Sequence, residues 1–257
     1  MRQPRVRRAR GFTLTELAVV FTIISLLLAA AMYTLSAQTE QRDFEETRRR
    51  LEAARDLLLA FALVNGRLPC PASTTTGATA GLEAPAGGGT CTAPGPYGGW
   101  LPARSIGFQV TDAAGNAVDA WGNAIRYAVS GTAPTCVTAP ATPHFTNTTN
   151  LRANGISCQP NDLVVCQSAS GITATTCGTA VAVTNQTTLV AIAFSTGKNG
   201  ASGSGGIDEA ANLNGDRVFV WHTPTPVGAT NGEFDDQMTW ISVGELYGKL
   251  VAAGLLP

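Results

Sequence analysis

The chain is poor in charge. Asp, Glu, Lys and Arg make up 14% of its 257 residues, against roughly 25% in an ordinary soluble domain. Its two histidines, His144 and His222, lie far apart, and no Cys-x-x-Cys occurs, which argues against a zinc centre of ordinary ligand spacing. With no Gly-x-Ser-x-Gly either, a Ser-His-Asp triad has little to stand on. Ser195-Thr-Gly-Lys198 has the Ser-x-x-Lys spacing of penicillin-recognising enzymes. Here, however, it ends a strand-like run instead of opening a helix, and neither Ser-Asp-Asn nor Lys-Thr-Gly follows. Lys198 is not followed by Ser or Thr, so it is no P-loop lysine. Two further absences shape the N-terminal part. No proline lies between Pro4 and Pro69, and no charged residue lies between Leu17 and Thr39.

What precedes and fills that uncharged stretch is specific. Arg2, Arg5, Arg7, Arg8 and Arg10 lead to Gly11-Phe12-Thr13-Leu14-Thr15-Glu16-Leu17. The run from Leu17 to Leu35 supplies the roughly 20 apolar residues a membrane span needs. Glu16 is the one acid at its edge, and an acid there calls for a partner. A basic stretch, an apolar run and Ala29-Ala30-Ala31 also fit an ordinary secretory signal. Arg7-Arg8 fits a twin-arginine signal, and a plain signal anchor is a third reading. None of these needs an acid at position 16. Counting arginines does not fix the orientation, because Arg42, Arg48, Arg49, Arg50 and Arg55 follow the run and balance the five before it.

The whole string from Gly11 to Leu17, abutting the apolar run, resembles the leader and N-terminal helix of type IV prepilins and type II secretion pseudopilins. The resemblance implies cleavage by prepilin peptidase between Gly11 and Phe12, N-methylation of Phe12, and use of the apolar helix as a filament core. A free amine at Phe12 of one subunit can then pair with Glu16 of a neighbour. Removing one partner of a buried pair leaves a stranded charge costing a few kcal/mol, which gives a reason for an acid at that position. The resemblance also implies an α+β fold with a long N-terminal helix packed on an antiparallel sheet. Its implied partners are other pilin or pseudopilin subunits, the peptidase and an inner-membrane assembly platform. Many relatives carry a proline in the apolar half, which this chain lacks.

Loss of residues 1–11 removes five arginines and no acid, so the formal charge moves from -1 to -6. That balance argues against general nucleic-acid binding. The six cysteines are Cys70, Cys91, Cys136, Cys158, Cys166 and Cys177. All follow the apolar run and their number is even, which points to an oxidising compartment and disulfides. Fifteen connectivities are possible. Sequential pairing, Cys70–Cys91, Cys136–Cys158 and Cys166–Cys177, is favoured because each bridge closes a modest Gly/Ser/Thr-rich loop, stabilising by about 2–4 kcal/mol.

Beyond the apolar run the helical pattern continues. Phe44, Thr47, Leu51, Ala54, Leu58 and Phe61 recur at alternating steps of three and four, one face of a helix. Glu45–Arg49 and Glu46–Arg50 are spaced as favourable i,i+4 pairs. Asn65-Gly66 and Pro69 stop the helix. A helix from Phe12 to Val64 would be about 80 Å long. Residues 72–99 read as a long Gly/Ala/Thr/Pro loop. Strands are expected at Ile125–Val129, Leu163–Cys166, Val181–Val183, Leu189–Ser195, Arg217–Trp221 and Met238–Ser242. Ser242-Val-Gly-Glu245 is a capping box that opens a short helix to about Ala253. Asp119-Ala-Trp-Gly-Asn123 before its strand also resembles the pseudopilin pattern, although a turn leading into a core strand suffices to explain it.

Oxygen-bearing residues concentrate near the C-terminus. Asp208, Glu209, Asn212, Asn214 and Asp216 fall in one Gly-rich segment, and Glu233, Asp235 and Asp236 in the next. Ca²⁺ takes six to eight oxygens on adaptable backbone. The candidate ligands are Asp208, Asn212, Asn214, Asp216, Asp235 and Asp236. The run Phe194–Gly200 followed by an acidic loop is similar to the C-terminal calcium loop of major pseudopilins, and solvated Asx turns are the alternative.

The expected organisation is a leader at 1–11, a transmembrane and filament-core helix at 12–39, an amphipathic continuation at 40–66 and a globular pilin-like domain at 67–257. The expected role is a minor pilin or pseudopilin, a structural subunit and no enzyme. It would be held in the inner membrane by one span with its C-terminal domain in the periplasm, then moved into a filament. A membrane-anchored periplasmic enzyme or binding protein with an ordinary signal anchor is the reading from another class.

Overall fold

The computed structural model describes residues 13–132, 134–136, 142–200 and 205–256, and only the backbone of residues 30–37. One helix, α1 (Leu14–Asn65), runs through 52 residues. It needs no break because it contains no proline. It stops where the sequence stops it: Gly66 takes φ 66, and its N–H closes on the Ala62 carbonyl at 2.8 Å, a left-handed C-terminal cap. The chain divides between Asp43 and Phe44 into two compact units.

In the second unit the remaining elements are β1 (Gly99–Trp100), α2 (Ala103–Ile106), β2 (Arg126–Val129), α3 (Thr148–Asn154), β3 (Val164–Cys166), β4 (Leu189–Ser195), α4 (Ile207–Leu213), β5 (Val218–Val220), β6 (Gln237–Ser242) and α5 (Val243–Ala252). A four-stranded sheet has the order β1-β2-β4-β6 and is antiparallel throughout. Its central strand β4 is buried at every position, as its unbroken apolar run requires. Alternation along it sorts two cores. Ala191 and Ala193 pack with Leu51, Leu58, Tyr127 and Ile241 on the helix side. Ile192 and Phe194 pack with Leu163, Val165 and Phe219 on the other.

That second layer differs from the expectation of antiparallel strands. β3 and β5 form a parallel pair with Val164 opposite Val218. Short, wholly buried runs such as Val-Val-Cys and Val-Phe-Val carry no alternation that would reveal direction. Val181–Val183 is not a strand. It joins β3 through a bridge at Ala182 and through Val183 N–H to the Val165 carbonyl, 2.8 Å.

The helical face read from spacing is the buried one. Thr47, Leu51, Ala54 and Leu58 are each at most 2% exposed. The charge pairing differs in one respect: Glu46 takes both Arg49 (2.8 Å) and Arg50 (3.0 Å), and Arg48 reaches Glu52. Arg50 also donates to the carbonyls of Val118 and Asp119. The Asp119–Asn123 turn is therefore more than a lead-in to β2. Ala120 N–H donates to Thr47 Oγ1 at 3.1 Å, and Trp121 meets Phe44 edge to face at 5.0 Å. The turn is a seat for this part of α1. At the other end Arg55 ties α1 to Glu245, so the capping box of α5 is half made. Ser242 Oγ accepts from Glu245 N–H while the Glu245 carboxylate turns to Arg55.

Three disulfides close the loops, Cys70–Cys91, Cys136–Cys158 and Cys166–Cys177, the sequential pairs. The first loop is braced further by a nearly buried Arg67–Glu83 pair at 2.7 Å. Thiol labelling of denatured, unreduced protein is expected to find no reactive cysteine; two or more labelled thiols would contradict this framework.

Candidate functional site

The N-terminal site begins outside the described residues, since Gly11, Phe12 and the leader arginines precede Thr13. What is described is the start of α1. Thr13 N–H and Thr13 Oγ donate to Glu16 Oε2 at 2.9 and 2.8 Å, and Glu16 N–H returns to Thr13 Oγ1 at 3.3 Å. This is a reciprocal capping box, so Glu16 secures the first turn of its own helix. The apolar residues that follow are uncovered. Leu14, Leu17, Val19, Val20, Phe21, Ile23, Ile24 and Leu26–Leu28 are 44–86% exposed. Consecutive positions point all round the helix, so these apolar residues do not form a single stripe. Among the described residues no helix is long and apolar enough to cross a membrane. Part of the expected span, the side chains of residues 30–37, lies outside the description.

The C-terminal oxygen cluster is re-sorted by α4. The segment expected to be a loop is helical from Ile207 to Leu213, and neighbouring residues on a helix point about 100° apart. Asp208 and Glu209 therefore leave in different directions. Asp208 accepts from Ala169 N–H, both its oxygens meet Asn231 Nδ2, and it meets His222 Nε2 at 3.1 Å. It stitches loops together and does not reach Asp235 or Asp236. Asn212 is spent in a similar way. Its Oδ1 accepts from Val220 N–H at 2.7 Å, and its Nδ2 donates to the Val220 carbonyl and to Asp236 Oδ2. It pairs with the β5 edge as a peptide group would. Asp216 is turned to Asn214 Nδ2 and Val218 N–H, an exposed Asx-type turn. Asp208, Asn212 and Asp216 are thus not brought to one point.

Asp235 and Asp236 are brought together, and with Glu209. Oxygen atoms from all three lie within 4.8 Å of one another, and all three residues are at most 6% exposed. Glu209 Oε1 accepts from Asp235 N–H at 2.7 Å, and Asp235 Oδ2 from Lys198 N–H at 2.9 Å. Asn199 Nδ2 spans Glu209 and Glu233. Among the described residues, Asp235 Oδ1 and Asp236 Oδ1 are buried without a hydrogen-bond partner. Burial raises the carboxyl pKa of Glu209, Asp235 and Asp236; Asp236 is raised further by the charges of Glu209 and Asp235.

Close backbone approach makes the cluster possible. A Cβ on Gly197 would collide with the Asp235 carboxylate, and one on Gly205 with that of Glu209. A pocket of about 210 Å³ opens beside the cluster, lined by Thr196, Asn199, Gly200, Glu209, Asn214 and Asp236. Asn214 thus borders it without joining the three acids. Hard carboxylate oxygens, one from α4 and two from the segment before β6 with unpartnered atoms, are the donor type that Ca²⁺ takes.

Glu209 was visible in the sequence as an acid but not as the centre of the cluster. The available signal is the pair of glycines that make room for the cluster, Gly197 against Asp235 and Gly205 against Glu209. The histidines stay out of this chemistry. Burial pushes the His144 pKa down to about 4, and His222 serves Asp208. Asn212→Ala removes three hydrogen bonds at buried partners. A loss of about 2–3 kcal/mol is expected, read as a lower midpoint in urea with an unchanged slope; a midpoint within error of wild type would contradict the bridging role.

Residues 6–32 match the prokaryotic N-terminal methylation motif, the prepilin-type cleavage and methylation segment of type IV pilins and pseudopilins. The pilin family in which this motif occurs is structural rather than catalytic. No curated protein and no solved structure matches the chain.

Proposed function

We propose that the chain is a minor pilin or pseudopilin, a subunit of a type IV pilus or type II secretion filament. One observation carries this reading: the methylation motif at residues 6–32 runs straight into α1, whose large apolar residues from Leu14 to Leu28 are exposed. Cleavage after Gly11 leaves Phe12 at the head of that helix. Before assembly the apolar stretch serves as a single inner-membrane span with the globular unit in the periplasm. In the filament, neighbouring helices cover it. A low-copy position suits the long loop at 67–98 better than a repeated shaft position. In shear fractions from cells with the assembly machinery, the chain is expected in the filament pellet, and absent from it when prepilin peptidase is deleted. Recovery of the uncut chain in that pellet without the peptidase would overturn the proposal.

The buried carboxylates favour an additional property. Glu209, Asp235 and Asp236 would hold a calcium ion, with remaining positions filled by water from the adjoining pocket. The ion would neutralise charges that otherwise repel.

A further inference from the structure

We infer that a cation at Glu209, Asp235 and Asp236 tightens the seat of α1, through a hydrogen-bonded relay along Asp235, Gly197, Ser195 and Asp119. The inference rests on the cation reading above and adds a consequence to it.

The relay is continuous. Asp235 Oδ2 accepts from Lys198 N–H, and Gly197 packs so closely on the Asp235 carboxylate that no side chain fits between them. Gly197 N–H donates to Ser195 Oγ at 3.1 Å. Ser195 Oγ, wholly buried, donates to Asp119 Oδ2 at 2.6 Å. A second strut runs alongside, from Asn123 Nδ2 to the Gly197 carbonyl at 2.6 Å. The Asp119 carboxylate also accepts from the N–H groups of Trp121 and Asn123. It therefore fixes the turn that touches α1 at Phe44, Thr47 and Arg50. Apart from the packing of Gly197 on Asp235, which the neighbouring Lys198 N–H backs with a hydrogen bond, each link is a donor aimed at one acceptor.

The movable element is the Thr196–Gly200 loop. Three close carboxylates repel without a cation and push Asp235 away from Gly197, which loosens both struts at once. A cation holds Asp235 in place and, with it, Gly197. Coupling of this kind is reciprocal. Whatever the cation does for the seat, the seat does for cation affinity.

The test uses the full chain in detergent micelles, with CaCl₂ or with chelator, and backbone hydrogen exchange as readout. Calcium is expected to slow exchange at least fivefold at 233–238, and also at 118–123 and 44–52. In Ser195→Ala the slowing at 233–238 persists, while that at 118–123 and 44–52 is reduced, and it is lost when Asn123→Ala is added. If circular dichroism shows that this variant does not fold, Asn123→Ala cuts the second strut and is read in the same way. Thr47→Val, altered on the helix itself, is expected to weaken calcium binding by about fivefold in a direct titration. Slowing at 233–238 with no change at 118–123 in the wild type would overturn the relay and leave the cation. Undiminished transmission in the cut variants would do the same. No slowing anywhere would remove the cation reading, and the relay with it.

Discussion

A chain carrying Glu16→Ala is expected to be cleaved and inserted normally, yet to reach sheared filaments at a tenth of the wild-type level or less. Among the described residues, the carboxylate closes the first turn of α1 through Thr13. Such a cap contributes about 1 kcal/mol. The proposed assembly role is larger. In a bundle of apolar helices, the Phe12 amine of one subunit would rely on a neighbour's Glu16 to offset its charge. Leaving one member of a buried pair alone costs about 3–5 kcal/mol, more than a hundredfold in an equilibrium. Glu16→Gln separates the two tasks, because glutamine can still accept from Thr13 but carries no charge. Both variants are expected to fail alike. Wild-type incorporation of Glu16→Gln would assign the residue to capping, and wild-type incorporation of Glu16→Ala would remove it from assembly.

The second large effect is thermal. At calcium one hundred times above its dissociation constant, the folded chain is expected to gain about 2.7 kcal/mol. For a unit of this size that raises the melting temperature by about 5–10 °C. The substitutions should divide by geometry and not by sequence proximity. Glu209→Gln and Asp235→Ala abolish the shift, because their oxygens belong to the buried cluster. Asp216→Ala retains it, because that half-buried carboxylate is engaged in its own turn with Asn214 and Val218. Superimposable wild-type curves with calcium and chelator would return the cluster to a purely structural role. A lost shift in Asp216→Ala would show that the wrong acids had been chosen.

The legible parts of the chain are those where one local rule dominates. The Phe44–Phe61 spacing identifies the buried face of α1 because helical periodicity has no competitor there. Asn65-Gly66 marks the helix end because glycine alone enters the left-handed cap without strain. The run Leu189–Ser195 reads as a central strand because only burial on both faces tolerates it. The parallel pairing of β3 with β5 is not legible, since partner choice is settled by tertiary packing and leaves no trace in three-residue apolar runs. The helix α4 is hidden by its glycine-rich and oxygen-rich flanks, Gly203-Ser-Gly-Gly206 and Asn214-Gly215. Without it, Asp208 and Asn212 read as loop residues free to converge with Asp235, whereas the helix turns them to Ala169 and Val220. Glu46 illustrates a smaller failure of the same kind. Spacing allots one arginine to each glutamate, whereas the folded helix lets Glu46 hold both Arg49 and Arg50.

The N-terminal site is the reverse case, legible as a string although its cleavage point lies outside the described residues. The mass of the mature N-terminal peptide, taken from cells that hold the assembly machinery, is therefore the most direct measurement of the whole account. The account predicts a chain that starts at Phe12 and carries one N-methyl group. A chain that starts at Met32, after Ala29-Ala30-Ala31, would show ordinary signal cleavage and contradict it.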